Sequence, residues 1–166
     1  MEHIRQSALS LAPGLRELFF TLHQYPELGN QERQTAALVR RRLEELGIEY
    51  VPSAGTGTAA LIRGGRPGKT VGFRADMDAL PIIEETGLPY ASRRPGVMHA
   101  CGHDFHTAAL LGAALLLQER RETLAGHVKL FFQPDEEGDG GAERMIAEGC
   151  MENPPVDAML CCPVES

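Results

Sequence analysis

The sequence has little positive charge, few cysteines and no long hydrophobic run, and each shortage excludes a class of protein. Sixteen Lys and Arg residues stand against 23 Asp and Glu residues, which gives a net charge of −7. That charge argues against nucleic acid or an anionic membrane as the main partner. The longest apolar run, residues 108–117, is far shorter than the ~20 residues of a membrane-spanning helix.

The start of the chain and its cysteine content both favour a cytoplasmic protein. The opening MEHIRQSALSLAPGLRELFF has no basic stretch followed by an apolar block, so we expect no secretory signal. Four cysteines without a secretory context are interpreted as thiols rather than as a disulfide framework. A chain of 166 residues can form one domain with its own hydrophobic core.

Helical and strand patterns alternate along the chain. PGLRELFFTLHQYPELG predicts a helix that begins at Pro13, and NQERQTAALVRRRLEELG predicts one that Asn30 caps and Gly47 ends. The apolar face of the second helix comprises Ala36, Val39, Leu43 and Leu46. Strands are predicted at IEYVP, TAALIRG, KTVGFRADMD, HVKLFFQ and VDAMLCC, and helices at the apolar run after HACGHD and at GAERMIAEG. This alternation predicts an α/β fold, a layered and largely parallel sheet with flanking helices.

Three clusters of potential metal ligands follow predicted strands: RADMDALP, HACGHD and FFQPDEEGDGG. In open α/β sheets, ligands bind at the carboxyl ends of strands. Cys101 and His103 are two residues apart, so in an extended segment both side chains would face one metal ion. The adjacent Glu136 and Glu137 would diverge, which leaves one carboxylate for the metal and the other for a proton of water. This division predicts metal-assisted hydrolysis.

Each cluster also has a structural interpretation. A lone Cys-x-His or Glu-Glu pair occurs often by chance, and Cys150, Cys161 and Cys162 are read as buried or incidental thiols. A structural zinc site from Cys101, His103, Cys161 and Cys162 has the right ligand types. It lacks the paired spacing of such sites, so we prefer the catalytic interpretation.

The segments RADMDALP, MHACGHDFHTAALLGAA and FQPDEEGDGGAERMIAEG resemble successive signatures of one enzyme family. They are similar to the aminoacylase and hippurate-hydrolase branch of the metal-dependent amidohydrolases and carboxypeptidases, which includes hydrolases of indole-acetyl amino acids. The opening LRELFFTLHQYPELGNQERQTAALVRRRLEELG is similar to the start of these enzymes. The resemblance implies that residues 1–166 are the N-terminal portion of a zinc-peptidase-like catalytic domain.

The resemblance also implies an activity and a role for each motif residue. The activity is cleavage of the amide bond of N-acylated amino acids or small peptides, with up to two divalent ions, zinc or manganese. Cys101, His103 and Glu137 would be metal ligands, and Glu136 would be the general base. Asp76, Asp78 and Asp104 would support these groups from outside the ligand set or serve the structure, and His106 belongs to the same motif segment without an assigned role.

Two departures from the family pattern keep alternatives open. The resemblance implies a further metal-binding histidine near the end of this chain, but Pro163 stands there, and proline has no donor atom. The family also has a lid and dimerisation domain and a return to the catalytic domain that this sequence does not reach. Alternatives are therefore an inactive remnant that acts as an interaction partner within the family, and a small protein with a structural metal site. Homo-oligomer formation and replacement of the histidine by Cys161 or Cys162 also stay open.

Overall fold

The computed structural model describes residues 2–161, which form one mixed sheet with helices on both faces. The elements, in chain order, are α1 (Glu2–Gln24), α2 (Arg33–Glu45), β1 (Glu49–Ser53), β2 (Gly57–Arg63), β3 (Arg66–Asp76), α3 (His103–Glu119), a 3₁₀ turn (Arg121–Thr123), β4 (Ala125–Gln133), α4 (Gly141–Ala147) and β5 (Ala158–Cys161). The predicted α/β class with a layered sheet and flanking helices is confirmed.

The expectation of a largely parallel sheet is wrong, because two of the four strand pairings within residues 2–161 are antiparallel. The strand order is β1-β2-β4-β3-β5. β2 pairs antiparallel with both β1 and β4, whereas β3 is parallel to β4 and β5. The β1–β2 pairing follows from the short turn between these strands, in which Ala54 and Gly55 both have positive φ. A turn of this length joins only antiparallel neighbours.

The first two helices depart locally from their predicted starts. α1 begins at Glu2, and Pro13 lies inside it. Pro13 removes the amide that would bond the carbonyl of Leu9, a residue on the exposed side of the helix. Asn30 does not cap α2, because the helix begins at Arg33 and the side-chain amide of Asn30 bonds a distant residue. The predicted end at Gly47 is confirmed, since Gly47 follows the helix with a φ of 65°.

The main hydrophobic core lies between the sheet and helices α1, α2 and α3. Val39 and Leu43 of α2 pack there against Leu130 and Phe132 of β4. Phe131 points to the opposite face and packs with Met145 of α4, as alternation along a strand requires. One face of the sheet is thus covered by three helices and the other by α4 and the segment that follows it. No helix within residues 2–161 has both the length and the apolar character needed to cross a membrane.

Candidate metal centre

The carboxyl ends of β3 and β4 lie side by side and bring two acidic segments to one edge of the sheet. Asp76, the last residue of β3, is in register with Gln133, the last residue of β4. The amide of Met77 donates to the Gln133 carbonyl at 2.9 Å, which continues the pairing one residue further. Glu136 and Glu137 follow soon after Gln133. The parallel register therefore places these carboxylates beside Asp76, at the position where α/β sheets bind ligands.

His103 lies at the middle of this acidic group. It is the first residue of α3 and is 2% exposed. Its Nδ1 is 2.8 Å from the backbone carbonyl of Asp78, and because a carbonyl only accepts, Nδ1 donates in this bond. The other nitrogen, Nε2, lies 3.6 Å from Asp76 Oδ2 and 3.9 Å from a carboxylate oxygen of both Glu136 and Glu137. A backbone acceptor on one ring nitrogen leaves the other free to bind a metal.

Asp78 joins His103 to the segment that carries the two glutamates. Its Oδ1 lies 3.2 Å from His103 Nδ1, and its Oδ2 accepts from the amide of Glu137 at 2.9 Å. Burial raises the pKa of Asp78, but the hydrogen bonds from His103 and from the Glu137 and Glu136 amides outweigh it, so the net pKa is lowered. Burial lowers the pKa of His103, but Asp78 and Asp76 outweigh it, and the net pKa is raised.

Cys101 reaches the same place by a route that the sequence did not predict. The segment is not extended, because Gly102 has a left-handed φ of 76° and His103 is already helical. The expectation that an extended segment turns the side chains of Cys101 and His103 in the same direction is therefore wrong. Nevertheless, ligand atoms of Cys101, His103 and Glu137 all lie within 4.8 Å of one another. The two glutamates do not simply diverge either, since both approach His103 Nε2.

The electrostatics of this group fit a bound cation. Burial raises the pKa of the Cys101 thiol, and a hydrogen bond with Glu137 and the charges of Glu137, Asp76 and Glu136 raise it further. Arg74 offsets part of the negative charge, at 2.9 Å from Asp76 and 3.6 Å from Glu136. A divalent ion would neutralise the rest and favour the thiolate. Thiolate, imidazole and carboxylate donors together suit zinc and related divalent metals.

A second group of ligand type shares His103. It consists of Asp76, His103 and His106, whose ligand atoms also lie within 4.8 Å of one another. His106 Nδ1 is 2.6 Å from Asp76 Oδ1, and the rings of His103 and His106 are stacked 5.7 Å apart. His106 therefore stands beside the centre, one helical turn after His103.

Asp104 is turned away from these ligand groups. Its Oδ2 lies 2.6 Å from His23 Nδ1 on α1, and its Oδ1 accepts from the amide of Phe105. Glu84 approaches the other ring nitrogen of His23 at 3.1 Å. Asp104 thus links α3 to α1. This contact is consistent with a structural role for Asp104 rather than with support of the metal ligands.

Sequence reasoning missed two neighbours of the centre. Arg74 precedes Asp76 by two residues in β3, so the strand period could have placed both on one face. His99 is buried, and neither of its ring nitrogens has a hydrogen-bond partner within residues 2–161. Burial lowers the pKa of His99 to about 4, so it is neutral. His99 lines an open cleft of about 380 Å³ beside Cys101, together with Phe19 and Phe105.

The end of the chain is only partly described. Cys161 is the last residue of β5 and is exposed, and it is not a member of either ligand group within residues 2–161. Cys162 and Pro163, which the sequence singled out, lie outside the described residues.

An α/β sheet that gathers thiol, imidazole and carboxylate donors at its strand ends is typical of metal-dependent hydrolases. The family model described as peptidase family M20/M25/M40 matches residues 72–166, and the chain belongs to this family. The chain is 52% identical over 140 residues to the N-acetyl-L-cysteine deacetylase of Bacillus subtilis, covering 84% of this chain and 33% of that protein. It is 46% identical over 145 residues to the hippurate hydrolase of Campylobacter jejuni, covering 87% of this chain and 37% of that protein. These relatives confirm the resemblance.

A solved structure shows the same fold. The YXEP protein of Bacillus subtilis, described as a dinuclear metal binding peptidase, superposes with a TM-score of 0.89 at 42% identity. The superposition covers 94% of this chain and 44% of that protein. The chain therefore spans about a third to two fifths of the length of the two curated relatives compared above.

Proposed function

We propose that residues 1–166 are the N-terminal portion of the catalytic domain of a hydrolase that cleaves the amide bond of N-acylated amino acids or small peptides with the help of a divalent metal. The observation that carries this proposal is the convergence of Cys101, His103 and Glu137 ligand atoms within 4.8 Å, with Glu136 beside them. The names of the relatives support the substrate class, since they act on N-acetyl-L-cysteine and on hippurate.

Cys101, His103 and Glu137 would hold the metal, which we propose to be zinc or manganese, with up to two ions in an intact site. Asp78 would fix the ring orientation of His103 through Nδ1, and Asp76 would take part from the opposite side of the ring. When bound, the metal supplies a Lewis acid for the acyl carbonyl and lowers the pKa of water.

Glu136 would act as the general base. Its carboxylate accepts a proton from the attacking water while the water oxygen bonds the amide carbon. The C–N bond then breaks, and the protonated Glu136 returns the proton to the leaving amine nitrogen, which yields a carboxylic acid and a free amine. Arg74, 3.6 Å from a Glu136 oxygen, would hold this carboxylate in place.

Titration of zinc and manganese into the purified, reduced 166-residue chain tests the metal part of the proposal. We expect one or two ions to bind in isothermal titration calorimetry, with affinity at least about tenfold weaker in Cys101→Ala. Glu136→Gln should keep the affinity and abolish any turnover of N-acetyl-L-cysteine or hippurate. Wild-type protein that binds neither metal would contradict the proposal for this chain.

Cys161→Ala is the matched control, because it removes an exposed thiol outside the ligand groups. Metal binding that survives Glu136→Gln but is lost in Cys161→Ala as well as in Cys101→Ala would support a structural metal site instead. Pro163 favours one further outcome, namely metal binding without turnover. That result would favour the alternative of an inactive member of the family.

The net charge of −7 supports a small-molecule substrate rather than nucleic acid or an anionic membrane. A thiol ligand such as Cys101 must stay reduced, and this supports the cytoplasm as the place of action.

A further inference from the structure

The turn that carries Glu136 and Glu137 is anchored to the connection between α1 and α2, about a hundred residues earlier in the chain. This connection holds two buried carboxylates, Glu27 and Glu32. The two carboxylates bond different parts of the chain. Glu27 bonds the start of α2, whereas Glu32 bonds the turn.

Glu32 is 0% exposed, and both of its carboxylate oxygens bond groups outside its own helix. Oε1 accepts from the backbone amide of Asp135 at 2.8 Å. Oε2 accepts from the Thr56 hydroxyl in the β1–β2 turn at 2.6 Å. Glu32 occupies the N-cap position of α2 but makes no side-chain capping bond there. Burial of a carboxylate is costly unless its hydrogen bonds repay it, so these two bonds fix the side chain firmly.

Asp135, the residue that Glu32 holds, has an unusual backbone conformation. Its φ is 53°, in the left-handed region that residues other than glycine rarely adopt. Its Oδ2 accepts from the Asn30 side chain at 2.8 Å, from the Asp139 amide at 3.0 Å and from Arg144 at 3.0 Å. A conformation of this kind persists only where the surroundings determine it. The contacts with Glu32 and Asn30 therefore decide the path of the chain into Glu136.

The other end of the same short segment is fixed by the centre itself, since the Glu137 amide donates to Asp78 Oδ2. The two glutamates thus sit between two anchors, Glu32 on one side and Asp78 on the other. The direction of both carboxylates towards His103 Nε2 depends on both anchors.

We propose that Glu32 is a positioning residue that fixes the Asp135 backbone and so aims the Glu136 and Glu137 carboxylates at His103. This inference rests on the proposed function for its chemical meaning. Its physical content, a turn held in shape by a buried carboxylate, is measurable in the metal-free chain.

The first experiment measures amide hydrogen exchange by NMR in metal-free wild type and in Glu32→Ala. We expect the Asp135 and Glu137 amides to exchange about tenfold faster in the variant. The Asp135 amide loses its bond to Glu32, and the Glu137 amide lies in the turn that this bond holds in shape. The amides of Leu130 and Phe132 in β4 should be unchanged. Glu32→Gln should restore slow exchange, since its side-chain carbonyl can still accept from Asp135. Wild-type exchange rates in Glu32→Ala would overturn the proposal.

Glu27→Ala is the matched control. Glu27 is also buried and lies in the same connection, but its carboxylate accepts from the start of α2 and pairs with Arg94, and none of these groups belongs to the turn. It should leave the Asp135 and Glu137 amides protected. Equal acceleration in both variants would mean general loosening and would overturn the proposal. If Glu32→Ala does not fold, Glu32→Asp takes its place, because its carboxylate is one methylene too short to keep the bond to the Asp135 amide, and unchanged exchange at Asp135 would overturn the proposal.

The second experiment connects the turn to the metal. Cobalt(II) is titrated into the same proteins, and the sulfur-to-cobalt absorption band reports on the Cys101 site. We expect about tenfold weaker cobalt binding in Glu32→Ala, near-wild-type binding in Glu32→Gln, and no change in Glu27→Ala. Wild-type cobalt affinity in Glu32→Ala would overturn the positioning role. Absence of cobalt binding in wild type would instead refute the proposed function, while the exchange data would still decide whether Glu32 holds the turn.

Discussion

Replacing Gly141 with alanine should lower the stability of the protein, because the turn after β4 leaves no room for a methyl group. Gly141 is the first residue of α4, and its amide donates to the Asp135 carbonyl at 3.2 Å. An added Cβ would lie 1.7 Å from the backbone oxygen of Pro134. A backbone oxygen cannot rotate away as the end of a long side chain can. The turn would have to open for the alanine to fit.

The size of the effect follows from the kind of contact. Overpacking typically costs about 1–3 kcal/mol, and a clash with rigid backbone belongs at the upper end, about 3 kcal/mol. For a chain of this length, each kcal/mol shifts the melting temperature by roughly 2–4 °C, so a fall of about 6–12 °C is expected. Thermal unfolding followed by far-ultraviolet circular dichroism measures it.

Gly14→Ala is the control, because it should raise the melting temperature instead of lowering it. Gly14 lies inside α1, and an added Cβ would meet nothing within 4 Å. Alanine is favoured over glycine in a helix by about 1 kcal/mol, which corresponds to a rise of roughly 2–4 °C. A Gly141→Ala protein that melts at the wild-type temperature would refute the reasoning, as would equal falls in both variants.

Two further predictions concern the helical side of the sheet. A hydrogen bond to Asp104, together with one to Glu84, raises the pKa of His23 despite burial. The charged imidazole therefore stabilises the fold fully below about pH 6.5, and this stabilisation is lost as the pH rises through the higher pKa of the folded state. The difference in unfolding free energy between wild type and His23→Gln, from urea titrations, should therefore shrink above that pH; a difference that stays constant to alkaline pH would contradict this. Leu130→Ala removes a side chain that is 0% exposed and should cost about 2–5 kcal/mol in the same titrations, whereas Val51→Ala, at a residue 60% exposed, should stay within about 0.5 kcal/mol. Similar losses in the last two variants would show that burial does not set the cost.

The fold class was predictable because local patterns carry it. Val39 and Leu43 recur at helical spacing and are buried as the pattern predicts. The antiparallel β1–β2 hairpin could also have been predicted, since the SAGTG turn is too short for the crossover connection that parallel strands need. The pairing of β2 with β4 was not, because its partners are some seventy residues apart and the packing of the whole sheet selects them.

The candidate site was predictable only for residues whose type alone indicates metal binding or proton transfer. Cys101, His103 and the glutamate pair stand out by residue type, and the structure brings them together. Asn30 and Glu32 do not stand out, since both look like ordinary residues at the start of a helix. Their partner, Asp135, lies more than a hundred residues away, and no local rule points to such a contact.

The position of β5 has a practical consequence for handling the protein. Within residues 2–161, β5 lies at the margin of the sheet, and Met159 and Leu160 are exposed on it. Proteins commonly protect such margins with lysine, proline or a bulge, and the sequence of Ala158–Cys161 contains neither lysine nor proline. A strand of this kind offers its backbone groups to the same strand of a neighbouring molecule. Protein concentration, and the reduction of the exposed Cys161 thiol, would therefore govern how long a sample stays monodisperse.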